Sequence, residues 1–578
     1  MTGYTKVSTF NLFLQRSFGD IYFDSIADFN AGNANRLRYG NAVPSNDPND
    51  AAASFSTTNF TFGVQDDWQL SDSVKVSAGL RYDLFDNNKA PPLNPNLLMR
   101  TGITNRATFK GRGVIQPRFA VNWDASDRLV VRVGAGIFAG GTPDVFLSNV
   151  FSNTGLLTNA VDINRGNCAV SLTCGALNGI TNGTIPASVV TLTNNISSLT
   201  LAPTDLIDPN LDLASKFKAT FQADYSANLG PLGDDWLFGV QFVYDKTVDA
   251  YLWTDLRSAP GVGALGVLPD GRTRYRVVGA ASTNRDLILA NTTDGRGYFA
   301  TARFEKRFDN GLSIEGSYTR SDVKDRSSLT SSTSSSNYQN NAFVDPNFPA
   351  YGRSIYEYRD QFKFGVNYRK NLFGDNRTSL GLFGENRSGR PFSVTMLDNT
   401  GGRGATFGTV GNLGNMLLYV PTVGDTRVTF DNVASETAFN SLVTSLGLEK
   451  YRGKIVPKNS QTSPDFFKID LHVGQELPLP LVEGGKFEVF ADIENVLNMI
   501  NKDWGSLRQV QFPYNSTLVR VNCLTTNSTV TPTGTAGVNA TLLQNCAQYR
   551  YSNVLAPNEV LQTRQSLYGI RVGARIKF

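Results

Sequence analysis

The sequence predicts an all-β protein, an antiparallel transmembrane β-barrel with about 14 strands present, and three observations support this. Segments of roughly ten residues alternate apolar and polar side chains along most of the chain. Short and long connections between these segments also alternate. No run approaches the roughly 18 consecutive apolar residues that a membrane helix needs. If the chain crosses a membrane, it therefore does so as strands.

The last stretch shows the alternation most plainly. Tyr568, Ile570, Val572, Ala574, Ile576 and Phe578 share one face, and Gly569, Arg571, Gly573, Arg575 and Lys577 share the other. A strand of a soluble β-sandwich would also alternate, so this stretch alone favours a membrane barrel only modestly.

Six hairpins with short turns precede it. They join residues 60–70 to 74–84, 118–124 to 128–138, 217–225 to 236–244, 298–304 to 312–318, 362–368 to 380–382, and 467–473 to 487–493. A weakly patterned strand near residues 4–14 and the final strand bring the total to about 14. We treat residues 1–578 as one barrel domain.

Long connections rich in Gly, Asn, Ser, Thr and Pro separate the hairpins. We place them at about residues 15–59, 86–112, 139–212, 247–296, 321–359, 386–464 and 495–565. Long irregular connections are uncommon inside compact soluble domains. Short turns on one side and long loops on the other are instead typical of outer-membrane barrels, whose long loops are extracellular.

Composition excludes several other classes of protein. Charged residues make up 18% of the chain, and the net charge is only +4. Since no concentrated basic patch occurs, we expect no nucleic-acid partner. The amino terminus lacks a charged segment followed by an apolar one, so we expect no signal peptide here, and an exported chain would then be mature or truncated.

Four cysteines occur as two close pairs, Cys168 with Cys174 and Cys523 with Cys546. Zinc would need four neighbouring ligands, and the single histidine, His472, is distant in the chain. Two local disulfides in an oxidising compartment are our interpretation, with four free thiols as the alternative. We expect no metal or other cofactor.

The polar faces of the strands predict the wall of a lumen, because a charge on the lipid face near the membrane centre costs on the order of 2–4 kcal/mol. The candidate luminal residues on the last strands are Lys468, Asp470, His472, Lys486, Glu488, Asp492, Glu494, Arg571, Arg575 and Lys577. The cations of the final strand either steer anionic cargo, pair with a plug, or balance the acids of the preceding strand. With one histidine and no constellation of nucleophile and base, we expect no catalysis.

Several phrases resemble TonB-dependent outer-membrane receptors. They are residues 62–68 (FGVQDDW) with 78–83 (AGLRYD), and residues 490–498 (FADIENVLN). Residues 11–19 (NLFLQRSFG) and 501–505 (NKDWG) look more narrowly like the Oar-like branch. Phe578, with Tyr568, Ile570, Val572, Ala574 and Ile576, matches the barrel-assembly signal of that family.

The resemblance implies a 22-stranded barrel filled by a plug, with a segment that takes up energy from the inner membrane. Neither the plug nor that segment is present, so the resemblance implies an amino-terminally truncated chain in the cell outer membrane. The implied partners are outer-membrane lipid, the assembly machinery, the inner-membrane TonB complex through the missing part, and an unidentified transported ligand. A structural or adhesive surface barrel and a passive porin remain alternatives.

Overall fold

The structure is a computed structural model, which describes residues 1–166, 168, 174–278, 284–398, 403–404, 406–411, 414–479, 485–525 and 545–577. Long antiparallel strands dominate it. They are β1 (Thr2–Asn11), β2 (Ala53–Ser71), β3 (Val74–Asn87), β4 (Arg112–Ser126), β5 (Leu129–Ala139), β6 (Ser215–Ala227), β7 (Trp236–Asp255), β8 (Gly295–Arg307), β9 (Leu312–Asp325), β10 (Asp360–Phe373), β11 (Asn376–Arg387), β12 (Phe466–Pro478), β13 (Lys486–Glu494) and β14 (Gly569–Lys577).

Each of these strands pairs antiparallel with the next one along the chain. The six predicted hairpins are therefore confirmed as β2–β3, β4–β5, β6–β7, β8–β9, β10–β11 and β12–β13. Three short strands extend the sheet to 17 strands. They are Thr204–Ile207, Asp286–Thr292 and Gly352–Arg353. Residues 480–484, in the predicted connection from Pro478 to Gly485, and the terminal Phe578 lie outside the described residues.

The registers keep one chemical character on each face of the sheet. Phe62 lies opposite Tyr82, and Tyr82 lies opposite Ile115, so the apolar face continues from β2 to β4. On β14, Val572 remains 71% exposed and Ile570 57% exposed. Exposure of this much contiguous apolar surface is what a lipid-facing wall requires.

The turn between β8 and β9 shows how the sequence ends a strand. Gly311 has a φ of 94°, a left-handed conformation that glycine adopts without the clash that a Cβ would introduce. Its N–H donates to the Phe308 carbonyl, and the Asn310 side chain accepts from the Leu312 N–H. The chain therefore reverses within a few residues, as the short connection predicted.

Strands β1 and β14 lie at the two ends of the pairing order. Within the described part of the chain, β1 forms a ladder only with β2, and β14 forms one only with β13. Nearly every residue of both strands is exposed or half-buried. The sheet therefore has two open edges, and lipid cannot satisfy the backbone N–H and C=O groups of such edges.

The long connections are folded, which corrects the expectation that they are irregular. Their helices are Ile26–Ala31, Pro95–Thr101, Asp144–Ser152, Ala187–Thr193, Ser334–Gln339, Val433–Ser445, Val496–Ile500 and Thr563–Ser566. Their remaining short strands are Asp20–Tyr22, Arg36–Ala42, Thr158–Asn164, Ser258–Pro260, Tyr275–Val277, Pro391–Leu397, Met416–Leu417, Tyr419–Val420, Val428–Phe430, Lys454–Ile455, Gln461–Thr462, Arg508–Val510, Asn515–Leu524, Gln548–Ser552 and Glu559–Leu561. Elements this short give too few periods for recognition in the sequence.

The bounds of the connections also differ from the predicted ones. β2 begins at Ala53 rather than near residue 60, and β7 continues to Asp255 rather than ending near residue 246. We call the described parts of the seven connections the cap: residues 12–52, 88–111, 140–214, 256–294, 326–359, 388–465 and 495–568. In the described part of the chain, no helix is both long and apolar enough to cross a membrane.

Long-range pairing joins the cap connections to one another. Asn515–Leu524 pairs with Pro391–Leu397 and with Gln548–Ser552, and the latter pairs with Val428–Phe430. Side chains of this small sheet, such as Val519 and Tyr551, form the largest apolar core of the cap together with Phe439. The cap therefore has its own hydrophobic core above the sheet.

Candidate functional site

The candidate luminal residues of the last three strands lie together on the polar face of the sheet. His472 lies opposite Asp492, and Asp492 lies opposite Arg571. The His472 Nδ1 is 2.6 Å from one oxygen of Asp492, and the Arg571 guanidinium donates to the other oxygen at 2.9 Å. His472 is therefore bound to a wall carboxylate through Nδ1, and its Nε2 lies 3.5 Å from the Ser379 hydroxyl, the outer limit of a hydrogen bond.

The cations nearer the turn side pair with acids on the neighbouring strands. Arg575 lies 3.3 Å from Glu488, and Lys577 lies 3.0 Å from the same carboxylate. Lys577 also donates to Glu476 at 2.8 Å, and Lys486 lies 3.5 Å from Glu476. Among the three interpretations of the final-strand cations, these contacts support balance against strand acids.

Glu476 was not among the residues predicted from the sequence, although its carboxylate pairs with both Lys486 and Lys577. Its signal was available, because Glu476 continues the polar alternation of Asp470, His472 and Gly474 along β12. Lys468 donates to Asp470 at 2.8 Å, and Asp470 also accepts from the Asn495 backbone N–H. Glu494, the remaining candidate, lies at the cap end of β13 opposite Gly569.

A second charged cluster lies on the polar face of β5, β6 and β8. Asp224 accepts from Arg132 at 2.9 Å and from Arg303 at 2.7 Å, so one carboxylate bridges two guanidiniums. Both arginines remain 49% exposed. These three charges are therefore held together while both arginines stay accessible from the polar face.

Above the wall, a buried carboxylate joins the cap. The Asp286 side chain is fully buried and accepts from Arg257 at 2.7 and 3.0 Å. It also pairs with Arg100 at 3.1 Å and accepts from the Thr204 backbone N–H. Asp286 therefore ties together the cap connections 88–111, 140–214 and 256–294.

A second buried carboxylate extends this network. One oxygen of Asp255 accepts from the backbone N–H groups of Arg257 and Asp286, each at 3.0 Å. The Asn347 side chain accepts from the Asp255 backbone N–H and donates to the Asp255 backbone carbonyl. The Arg403 guanidinium lies 4.0 Å from the Asp255 carboxylate. The network thus reaches the connections 326–359 and 388–465 as well.

The last long connection, residues 495–568, is joined to the rest of the cap through Asp270 of the connection 256–294. Its carboxylate accepts from Arg272 at 2.8 Å and from the Tyr549 hydroxyl at 3.0 Å. Arg272 also donates to the Leu417 carbonyl. Burial among these groups raises the pKa of Tyr549, so its hydroxyl stays protonated and donates. The first connection joins through Arg36–Ala42, which pairs with Thr158–Asn164, so all seven connections form one folded body.

Asp205 is a further buried carboxylate of the cap, and its burial disfavours the charged form. It accepts from Ser334 at 2.5 Å and from Asn153 at 2.7 Å, across two cap connections. Burial raises its pKa to about 6, because the charged form is poorly solvated there.

Both predicted cysteine pairs lie in the cap and are bonded in the structure. Cys168 is joined to Cys174, and Cys523 is joined to Cys546, with Cα–Cα distances of 5.5 and 5.0 Å. Cys523 and Cys546 belong to the largest cap core. Among the described residues, no group of three His, Cys, Asp or Glu side chains could hold a metal ion.

Several solved structures resemble the chain at low sequence identity. The outer-membrane transporter YddB from Escherichia coli is 12% identical, with a TM-score of 0.43, over 83% of this chain and 44% of that one. A mutant of the ferric enterobactin receptor PfeA from Pseudomonas aeruginosa is 9% identical, with a TM-score of 0.38, over 93% of this chain and 50% of that one. The ferric preacinetobactin receptor BauA from Acinetobacter baumannii is 10% identical, with a TM-score of 0.36, over 79% of this chain and 40% of that one. The chain thus spans half or less of each of these proteins.

No curated protein sequence matches the chain. A family model described as the outer membrane beta barrel domain matches residues 3–517. This match agrees with the antiparallel sheet and its exposed apolar face, and it places the protein in the cell outer membrane with that face against lipid. The chain therefore belongs to the outer membrane β-barrel domain family.

Proposed function

We propose that the chain is part of the barrel of an energy-coupled outer-membrane transporter of the TonB-dependent, Oar-like type, which captures a ligand on the cap. The observation that carries this proposal is the cap itself. Its connections fold into one body through the buried carboxylates Asp255, Asp270 and Asp286. A passive pore needs only short or flexible loops, whereas a preorganised surface of this size suits ligand capture.

The inner wall supports passage of a polar ligand. Asp224, Asp492 and Glu488 each hold cations of neighbouring strands. Since these charges compensate one another at a hydrated surface, a polar solute meets hydrogen-bonding groups without a single strong charge that would trap it. The mechanism is therefore binding and gated passage, with no chemical step.

The two open edges support a larger barrel. β1 and β14 each leave one side without a ladder among the described residues. We infer that further strands complete the barrel and that a plug closes its lumen, with energy supplied by the inner-membrane TonB complex.

Solute depletion from defined medium, followed by mass spectrometry, tests this proposal. We compare cells that carry the complete receptor with cells that lack it, before and after dissipation of the proton gradient. At least one solute should be removed faster by the receptor-bearing cells, and only while the gradient persists.

Two cap variants provide the matched comparison. Asp286→Asn removes the buried carboxylate and should slow uptake, whereas Asp294→Asn removes a half-exposed partner of Arg326 and should leave uptake unchanged. Uptake that continues without the gradient would indicate a passive pore. Loss of cell attachment with unchanged uptake would instead indicate an adhesive surface barrel.

A further inference from the structure

We propose that the lipid-facing surface of β7–β9 carries a specific site for a phosphorylated lipid of the outer leaflet. Lys246, Arg296 and Lys324 would hold the phosphate, and an apolar groove beside them would hold an acyl chain. This site lies on the opposite face of the sheet from the lumen and is independent of the transported ligand.

The three cations form a row across adjacent strands. Lys246 on β7 lies opposite Arg296 on β8, and Arg296 lies opposite Lys324 on β9. Directly paired residues place their side chains on the same face, and like charges in such pairs repel. An anion bound between them would remove this repulsion.

The described contacts leave the row short of negative partners. Lys246 donates to the Thr293 backbone carbonyl at 2.9 Å, and Arg296 lies 5.5 Å above the Tyr298 ring. None of the three cations has an ion pair among the described residues. The Arg296 Nε is also buried without a hydrogen-bond partner among them. Such a buried donor is rare unless a ligand or water satisfies it.

The acids on this face do not neutralise the row. Asp322 precedes Lys324 by two residues and lies opposite Tyr298, so it contributes one negative charge beside three positive ones. Asp294, two residues before Arg296, is already paired with Arg326, and Asp360 is paired with Arg320 at 2.8 Å. The surface therefore keeps a net positive charge next to an apolar wall.

The height of the row matches the headgroup level. β7 rises from Trp236 at the turn end, and Lys246 follows ten positions later. At about 3.3 Å per residue and a tilt of about 40°, this distance is roughly 25 Å along the membrane normal, which equals the height of the apolar band of such barrels. The cations therefore lie where the phosphates of the outer leaflet begin.

An apolar groove adjoins the cations on the membrane side. Its volume is about 830 Å³, within the range of small-molecule sites. Its lining on the lipid face combines small and aromatic side chains, Ala219, Phe221, Phe242, Tyr244, Tyr298 and Ala300. Arg320, Asp322 and Arg359 lie at its polar rim, and Arg359 is paired with Glu357 at 3.5 Å. The rings of Tyr244 and Tyr298 stack at 5.0 Å between this groove and the row of cations. Phosphate and acyl chain are thus placed as they occur in one lipid molecule.

Native mass spectrometry of the detergent-purified complete receptor tests the site. The probes are lipid A carrying two phosphates, the same lipid without phosphates, and inorganic phosphate as a competitor. Each cation near an anionic lipid surface contributes about a few-fold in affinity, so three together should give roughly a 100-fold preference for the phosphorylated lipid. The variant K246Q/R296Q/K324Q should lose this preference.

Two matched controls separate this site from general charge and hydrophobicity. K89Q/K450Q/K454Q removes three exposed cap lysines and should keep the preference. Ala300→Phe fills the groove and should weaken binding of both lipids, whereas Ala302→Phe, on the same face outside the groove, should not.

Equal retention of both lipids by the unmodified chain would overturn the proposal, whether or not the triple variant folds. Displacement of the lipid by millimolar inorganic phosphate would also overturn it, since the site would then serve free anions. An unchanged preference of the triple variant for the phosphorylated lipid would overturn it as well. The three cations would then be solvated side chains at the membrane surface that do not bind the phosphate.

Discussion

Replacement of Asp286 by Asn should loosen the cap while leaving the barrel strands intact. The Asp286 carboxylate is fully buried, and its partners Arg257 and Arg100 are 1% and 12% exposed. The amide keeps the shape and one acceptor oxygen but removes the charge that faces two guanidiniums. Breaking a buried pair from one side typically costs about 3–5 kcal/mol, because the remaining charge loses its compensation.

Amide hydrogen exchange measures this cost locally. Opening of the cap should expose the backbone N–H groups of Thr204, Arg257 and Asp286, which are all bonded within the network. A loss of about 3–5 kcal/mol corresponds to exchange faster by roughly 100- to 4,000-fold. Amides in β4 and β5, on the sheet, should exchange at their original rates.

The control is Asp294→Asn, which removes a half-exposed partner of Arg326. Surface pairs of this kind contribute about 0–1 kcal/mol, so exchange should change by no more than about fivefold. If Asp286→Asn accelerated exchange by less than about tenfold, or no more than Asp294→Asn, the cap would not depend on this network.

Three further predictions concern the cap. Since burial raises the folded-state pKa of Asp205 from 3.8 to about 6, the contribution of Asp205 to cap stability should be most favourable below pH 4, fall by roughly 3 kcal/mol as the pH rises to 6, and then level off. Asp205→Asn should flatten this profile in thermal melting followed by near-UV circular dichroism, and an unchanged profile would exclude Asp205 as its source. Replacing Cys523 and Cys546, 23 residues apart, by Ser should cost about 3 kcal/mol in urea unfolding, and replacing Cys168 and Cys174, six apart, should cost less; the reverse order would contradict the loop-closure argument. Gly389→Ala would place a Cβ against the Ser463 carbonyl and should cost about 1–3 kcal/mol in the same assay, whereas Gly140→Ala, in open space, should be neutral; equal effects would contradict the crowding.

Part of the candidate site followed from the sequence. Alternation placed Asp492, Arg571 and His472 on one face, because side chains of a strand point to opposite sides in turn. Which of them bond was decided by register, and alternation within one strand carries no measure of the offset between β13 and β14. Alternation therefore indicates that Glu476 lies on the polar face, but not that it pairs with Lys577 across the intervening strand.

The sequence by itself determined the strands, their hairpins and the apolar and polar faces of the sheet, because these depend on local periodicity and short turns. Only the tertiary structure decided the cap and the row of cations. Asp286 meets Arg100 across 186 residues, and Tyr549 meets Asp270 across 279 residues. Lys246, Arg296 and Lys324 become neighbours only through the pairing of β7, β8 and β9. Contacts between residues so far apart in the chain leave no periodic signal in a single sequence, since they arise from the packing of many short elements at once.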